Sequence, residues 1–195
     1  MIAVIDYGAG NTQSVLNVLD DLKVEYIVTN REIDINKAEK IIFPGVGEAS
    51  FAIKKLHLCN LFTMLRVIKK PLLGICLGMQ VMCEKSEEGN IAGLGIIPAI
   101  SKKFDEKKTK VPHMGWNKVS YIKESKLFKD IPENSYFYFA NSFYVPMNEY
   151  TIAKTENCIE FTTAIEKENF YGVQFHPEKS GTAGTQLIKN FIELC

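Results

Sequence analysis

The sequence predicts one α/β domain built on a mostly parallel sheet with helices on both faces. Three observations carry this. Short β-branched apolar runs alternate with helix-period segments through the first half. Glycine- or proline-containing turns close the runs. The 195 residues, 46% hydrophobic and 24% charged, suffice for one proper core but not for two comfortable domains, so residues 1–195 are expected to be a single domain.

The first strand spans residues 2–5 and is shut by Asp6-Tyr7-Gly8. A helix follows over residues 12–22, with Val15, Leu16, Leu19 and Leu22 on one face, and then a strand over 26–28. Residues 40–43 form a third strand that runs into the turn Pro44-Gly45-Val46-Gly47. Helical stretches over 49–56 and 61–69 lead to a strand at 71–75, bounded by proline before it and Cys76-Leu77-Gly78 after it. The second half reads as strands at 96–104, 118–122, 136–145, 161–165 and 170–175, closed by a helix near 185–194. These are expected to be extra, partly antiparallel strands on the same sheet. Residues 102–110 read as a solvated loop.

Lys plus Arg equals Asp plus Glu at 23 each, with nothing resembling a nucleic-acid footprint. The five cysteines, Cys59, Cys76, Cys83, Cys158 and Cys195, are scattered and odd in number, without metal-ligand spacing. No metal or cofactor is therefore expected, and a reduced cytoplasmic setting is. No apolar stretch approaches the roughly 20 residues of a membrane span, and no signal-peptide core precedes Asp6, so the mature chain is expected to begin at Met1.

Gly74-Ile75-Cys76-Leu77-Gly78 stands where a buried strand gives way to a helix and has the form of a nucleophile elbow. So sharp a turn forces a strained backbone on Cys76 and needs neighbours without Cβ. The positive end of the helix favours the thiolate, the species that does the chemistry. The other four cysteines read as small buried hydrophobes.

Of the three histidines, His57 lies on an amphipathic helix and His113 in Pro112-His113-Met114-Gly115-Trp116-Asn117, whereas His176 sits in Phe175-His176-Pro177-Glu178. Pro177 is expected to hold that segment extended, so residues two apart share a side and the Glu178 carboxylate meets the imidazole. Cys76, His176 and Glu178 then form a nucleophile, base and orienter in chain order. Oxyanion donors are available from the N–H of Leu77 and from the 44–47 turn at Val46, although such a turn also serves as a plain connection. Gln80, four residues beyond Cys76 on one helix face, lines the pocket.

Together with Asp6-Tyr7-Gly8-Ala9-Gly10-Asn11 and Lys179-Ser180, these motifs resemble the class I (triad) glutamine amidotransferases over essentially the whole chain. More narrowly, the Pro-His-Met-Gly-Trp-Asn run resembles the glutaminase subunits of imidazole glycerol phosphate synthases of histidine biosynthesis. The resemblance implies a flavodoxin-like fold and hydrolysis of L-glutamine to glutamate and ammonia through a thioester on Cys76. It also implies a heterodimer with a (βα)8-barrel cyclase subunit that receives the ammonia through a tunnel. Implied glutamine-binding positions are Gly47, Gln80, Glu88, Ser142 and Phe143; implied partner-facing positions are Asn11, Trp116 and Lys179. It further implies a slow isolated chain whose oxyanion donor turns into place when the liganded partner binds.

One departure stands out. Asn141-Ser142-Phe143 replaces the family's usual His-Ser-Tyr, removing a ring nitrogen and a phenol hydroxyl beside the active site. That keeps two other readings open: a paralogous ammonia supplier for amidination of a surface sugar, and a silent subunit with a regulatory role. A cysteine hydrolase acting on another amide or ester is a third.

Overall fold

A computed structural model describes residues 1–8 and 12–195. The chain opens with β1 (Ile2–Ile5), α1 (Thr12–Asp21), β2 (Tyr26–Thr29), α2 (Glu32–Lys37) and β3 (Lys40–Gly45). Helices α3 (Ala49–Leu58) and α4 (Leu61–Val67) lead into β4 (Leu72–Cys76), and α5 (Leu77–Val81) follows with no loop between. Next come β5 (Cys83–Ser86), β6 (Ile91–Ala92), β7 (Ile97–Lys103), β8 (His113–Lys118) and β9 (Ser120–Tyr121). The chain closes with β10 (Tyr136–Asn141), β11 (Phe143–Tyr144), β12 (Thr151–Asn157), β13 (Ile159–Lys167), β14 (Phe170–Val173) and α6 (Gly181–Leu194).

The main sheet has the order β2-β1-β3-β4-β14-β13-β12-β9. Its first five strands pair in parallel, as helical crossovers require, and give the flavodoxin-like order. From β14 outward the pairing is antiparallel. Alternation along the strands splits the core in two. Ile2, Val4, Leu73 and Ile75 pack under Val15, Leu19, Leu187 and Phe191 of α1 and α6. Ala3, Ile5, Ile41 and Leu72 pack under Ala52, Leu56, Leu61 and Leu65 of α3 and α4. No helix among the described residues is long and apolar enough to cross a membrane.

Several sequence expectations need correction. The added strands do not all join the main sheet, since β8 and β10 form a separate pair and β11-β7-β5-β6 a separate four-stranded sheet. The expected 136–145 strand is therefore two strands that part at Ser142. Strand β8 was not expected because its apolar residues point the wrong way: Met114 and Trp116 are exposed, while His113, Gly115 and Asn117 are half-buried. The 44–47 turn begins later than its motif, because β3 runs through Pro44 and Gly45. Pairing with β1 ends at Ile42, so Pro44 is bonded on one side only and its missing N–H costs no ladder bond there. Finally, the 102–110 loop is anchored by Phe104, which is buried against Tyr144 and Phe161.

Candidate active site

Strand adjacency brings the expected triad together across a hundred residues of chain. In the β4–β14 pairing Ile75 is opposite Val173, so the two carboxyl ends deliver Cys76 and His176 to one edge. On the other side of β4, Gly45 pairs with Cys76 and brings the Val46–Gly47 turn alongside. Carboxyl ends of neighbouring parallel strands are where open α/β sheets form their clefts.

Cys76 has φ 53° and ψ −108°, a strained backbone for a residue with a Cβ. What holds the strain is backbone contact on both sides. A Cβ on Gly78 would lie 2.0 Å from the Phe43 carbonyl oxygen, and one on Gly74 would lie 2.8 Å from Gly78 C and Met79 N. The elbow thus wedges α5 between β3 and β4. Helix α5 is only five residues long, so it brings a short dipole to the sulfur, and the elbow geometry carries more of the argument than the sequence assigned to it.

The Glu178 carboxylate accepts from His176 Nδ1 at 2.7 Å, and both side chains are 3% exposed. The pair arises differently from expectation. His176 is extended, but Pro177–Lys179 is a single 3₁₀ turn, with proline at the first helical position, where its fixed φ fits and its missing N–H is not needed. The backbone of His176 is clamped as well: its N–H donates to the Tyr138 carbonyl at 2.8 Å, and its own carbonyl accepts from Ser180 Oγ at 2.6 Å. Burial disfavours the imidazolium, yet hydrogen bonds to Cys76 and Glu178 and their charges outweigh it, raising the His176 pKa to about 10. We expect Glu178→Gln to lower the titration of the His176 ring, followed by NMR, and to cut glutamate release by about 10²- to 10⁴-fold. An unchanged ring titration would mean that Glu178 lends the imidazole no charge.

A cavity of about 260 Å³ opens beside the sulfur, lined by Cys76 and His176 with Val46, Gly47, Leu77, Gln80, Glu88, Ser142 and Phe143. All five expected glutamine-binding positions and both expected oxyanion positions thus face one space. Glu88 has a second employment, since its Oε2 accepts from the Ala49 N–H at the start of α3 at 2.7 Å. Burial holds its carboxyl above the usual carboxylate range, and that hydrogen bond offsets only part of the rise.

Lys179 lines this cavity too. Trp116 does not: it is 56% exposed on β8, with its ring edge-on to Tyr138 at 6.1 Å. Asn11 lies outside the described residues. His57 stacks on Phe62, and His113 sits among Phe104, Phe139 and Phe161, where burial lowers its pKa. A larger cavity of about 720 Å³, lined by Tyr121, Lys126, Lys129 and Tyr171 among others, has neither cysteine nor histidine among the described residues that line it.

Sequence reasoning missed two residues of the site. Gln174, wholly buried, donates from Nε2 to Cys76 Sγ at 3.6 Å. Its position two residues before His176 was the available signal. Asn141 was noted only for what it lacks, yet its Nδ2 donates to the Phe143 carbonyl at 2.9 Å. Phe143 offers the site that carbonyl, which needs no phenol.

The model of the glutamine amidotransferase class-I family matches residues 3–194. The chain is 48% identical to the imidazole glycerol phosphate synthase subunit HisH of Bacteroides fragilis, over 99% of both chains. It is 43% identical to the Haemophilus influenzae subunit of that name, over 98% of this chain and 96% of the relative, and 42% identical to that of Buchnera aphidicola, over 99% of both. Among solved structures, one described as a glutamine amidotransferase superposes with a TM-score of 0.77 at 15% identity, covering 100% of this chain and 98% of that one. A putative GMP synthase subunit of Thermoplasma acidophilum gives 0.75 at 21% identity, covering 98% and 91%. Those two likenesses speak to the fold, while the first three carry the assignment: the chain belongs to the class-I glutamine amidotransferases, in the branch of the HisH subunits of imidazole glycerol phosphate synthase.

Proposed function

We propose that residues 1–195 act as one glutaminase domain in which Cys76 is the nucleophile, His176 the base and Glu178 its orienter. The observation that carries this is the buried His176–Glu178 pair, set against a strained Cys76 in a cavity sized for an amino acid. His176 takes the thiol proton, and the thiolate attacks the γ-carboxamide carbon of glutamine. The N–H groups of Leu77 and Val46 receive the oxyanion. Collapse expels ammonia, with His176 returning its proton to the leaving nitrogen, and water then hydrolyses the thioester to glutamate. Gly47, Gln80, Glu88, Ser142 and Phe143 hold the substrate.

The ammonia acceptor is a (βα)8-barrel cyclase subunit in the same cytoplasmic compartment. Trp116 and Lys179 face this partner, which uses the nitrogen to form imidazole glycerol phosphate. Supporting that side of the molecule, the exposed Trp116 touches Tyr138, whose carbonyl holds the His176 N–H. Docking at Trp116 therefore bears on the base through one strand. We expect the lone chain to release glutamate slowly and the ligand-loaded complex to do so about 10- to 100-fold faster. Equal rates would contradict a donor that waits for the partner. The silent-subunit reading predicts no glutamine-protected labelling of Cys76 by a glutamine-like electrophile. The sugar-amidination reading predicts instead that a different companion co-purifies.

A further inference from the structure

Gln174 has its amide pinned at both ends. Its Nε2 donates to Cys76 Sγ at 3.6 Å, and its Oε1 accepts from Gln80 Nε2 at 2.8 Å. Gln80 Nε2 also donates to the Phe143 carbonyl at 2.9 Å, the carbonyl that Asn141 Nδ2 reaches as well.

The polarity of this chain is forced. A carbonyl can only accept, so Gln80 must turn its nitrogen toward Phe143. Both N–H groups of that nitrogen are then spent, one on Phe143 and one on Gln174. Gln174 must answer Gln80 with its oxygen, which leaves its own N–H aimed at the sulfur. Reversing the Gln174 amide would set nitrogen against nitrogen and oxygen against sulfur in a dry interior, where lost hydrogen bonds are not replaced by water.

We propose that Gln174 is a further catalytic residue, whose N–H holds the Cys76 sulfur and favours thiolate over thiol, with Gln80 and the Phe143 carbonyl fixing the direction of that N–H. A donor binds an anionic acceptor more strongly than a neutral one, so the contact strengthens as the proton leaves Sγ for the His176 nitrogen not occupied by Glu178. The S–H electron pair stays on sulfur. When sulfur becomes part of the neutral thioester the contact relaxes, and it returns on deacylation. The titratable groups around the sulfur are His176 backed by Glu178, Tyr7 below the elbow, and Glu88 and Lys179 around the cavity. Gln174 adds a neutral donor to that set.

The inference rests on Cys76 being the glutaminase nucleophile, and its test separates the two claims. Alkylation of Cys76 by iodoacetamide, followed peptide by peptide in the mass spectrometer, needs no turnover. We expect Gln174→Met and Gln174→Leu, which keep the buried volume, to raise the pH midpoint of alkylation by about one unit. At pH values below the midpoint that makes labelling about tenfold slower, ~1.4 kcal/mol. Gln80→Met frees the Gln174 amide to turn and should move the midpoint the same way by less. Whichever Gln174 variant keeps the parent's circular dichroism decides, and a midpoint equal to the parent's overturns the proposal. The parent is labelled in parallel with 6-diazo-5-oxo-L-norleucine, with and without glutamine. Labelling that glutamine blocks, together with unchanged midpoints, removes the role of Gln174 alone; no labelling at Cys76 removes the glutaminase reading and this inference with it.

Discussion

Replacing Cys76 by alanine is expected to cut glutamate release by about 10⁵-fold or more, measured on the complex with its barrel partner so that the oxyanion donor is in place. The sulfur is the atom that becomes acylated, and no other described residue lining the cavity is a nucleophile of comparable strength beside a base. Alanine accepts the same backbone as cysteine, so the elbow should persist. The loss in stability should be modest, about 1–3 kcal/mol, because the His176 ring and the Gln174 amide each lose a buried partner. An alanine variant that keeps full activity would end the thioester mechanism. A variant that unfolds would instead show that the sulfur's contacts hold the elbow together.

Local patterns made the elbow legible before any coordinates. Gly74, Cys76 and Gly78 lie on a strand-to-helix step, and the strain on Cys76 follows from that geometry. The pairing of Cys76 with His176 was not legible from spacing. It was reached by weighing the three histidines, and it depends on β14 returning to lie beside β4 in register, a long-range choice that local patterns do not encode. Strand β8 escaped notice because a surface kept apolar at Met114 and Trp116 inverts the usual alternation. The departure at Asn141 and Phe143 shows the same limit from the other side. Side-chain identity announced two lost polar groups, but the wall of the cavity is held by an Asn amide on a main-chain carbonyl, which every residue type at position 143 would offer.

The elbow should also be the most brittle place in the fold. Gly78→Ala puts a methyl 2.0 Å from the carbonyl oxygen of Phe43 and 3.2 Å from its carbon, and both atoms belong to the backbone of a central strand. A flexible side chain could swing away, but β3 is hydrogen-bonded to β4 through this stretch, with Phe43 opposite Gly74. Relief requires lifting α5 off the sheet, which drags Cys76 from His176. Ordinary overpacking costs about 1–3 kcal/mol. A backbone-on-backbone clash should exceed about 4 kcal/mol, a large share of the 5–15 kcal/mol that typically holds a domain together. We expect Gly78→Ala to be recovered largely insoluble or with a sharply lowered urea midpoint. Gly74→Ala, whose nearest contacts are at 2.8 Å and include the Met82 sulfur, should be hurt less. A Gly78→Ala protein that unfolds at the parent's urea concentration would mean that α5 is free to ride up from β3. The strain at Cys76 would then need another source than the wedge described above.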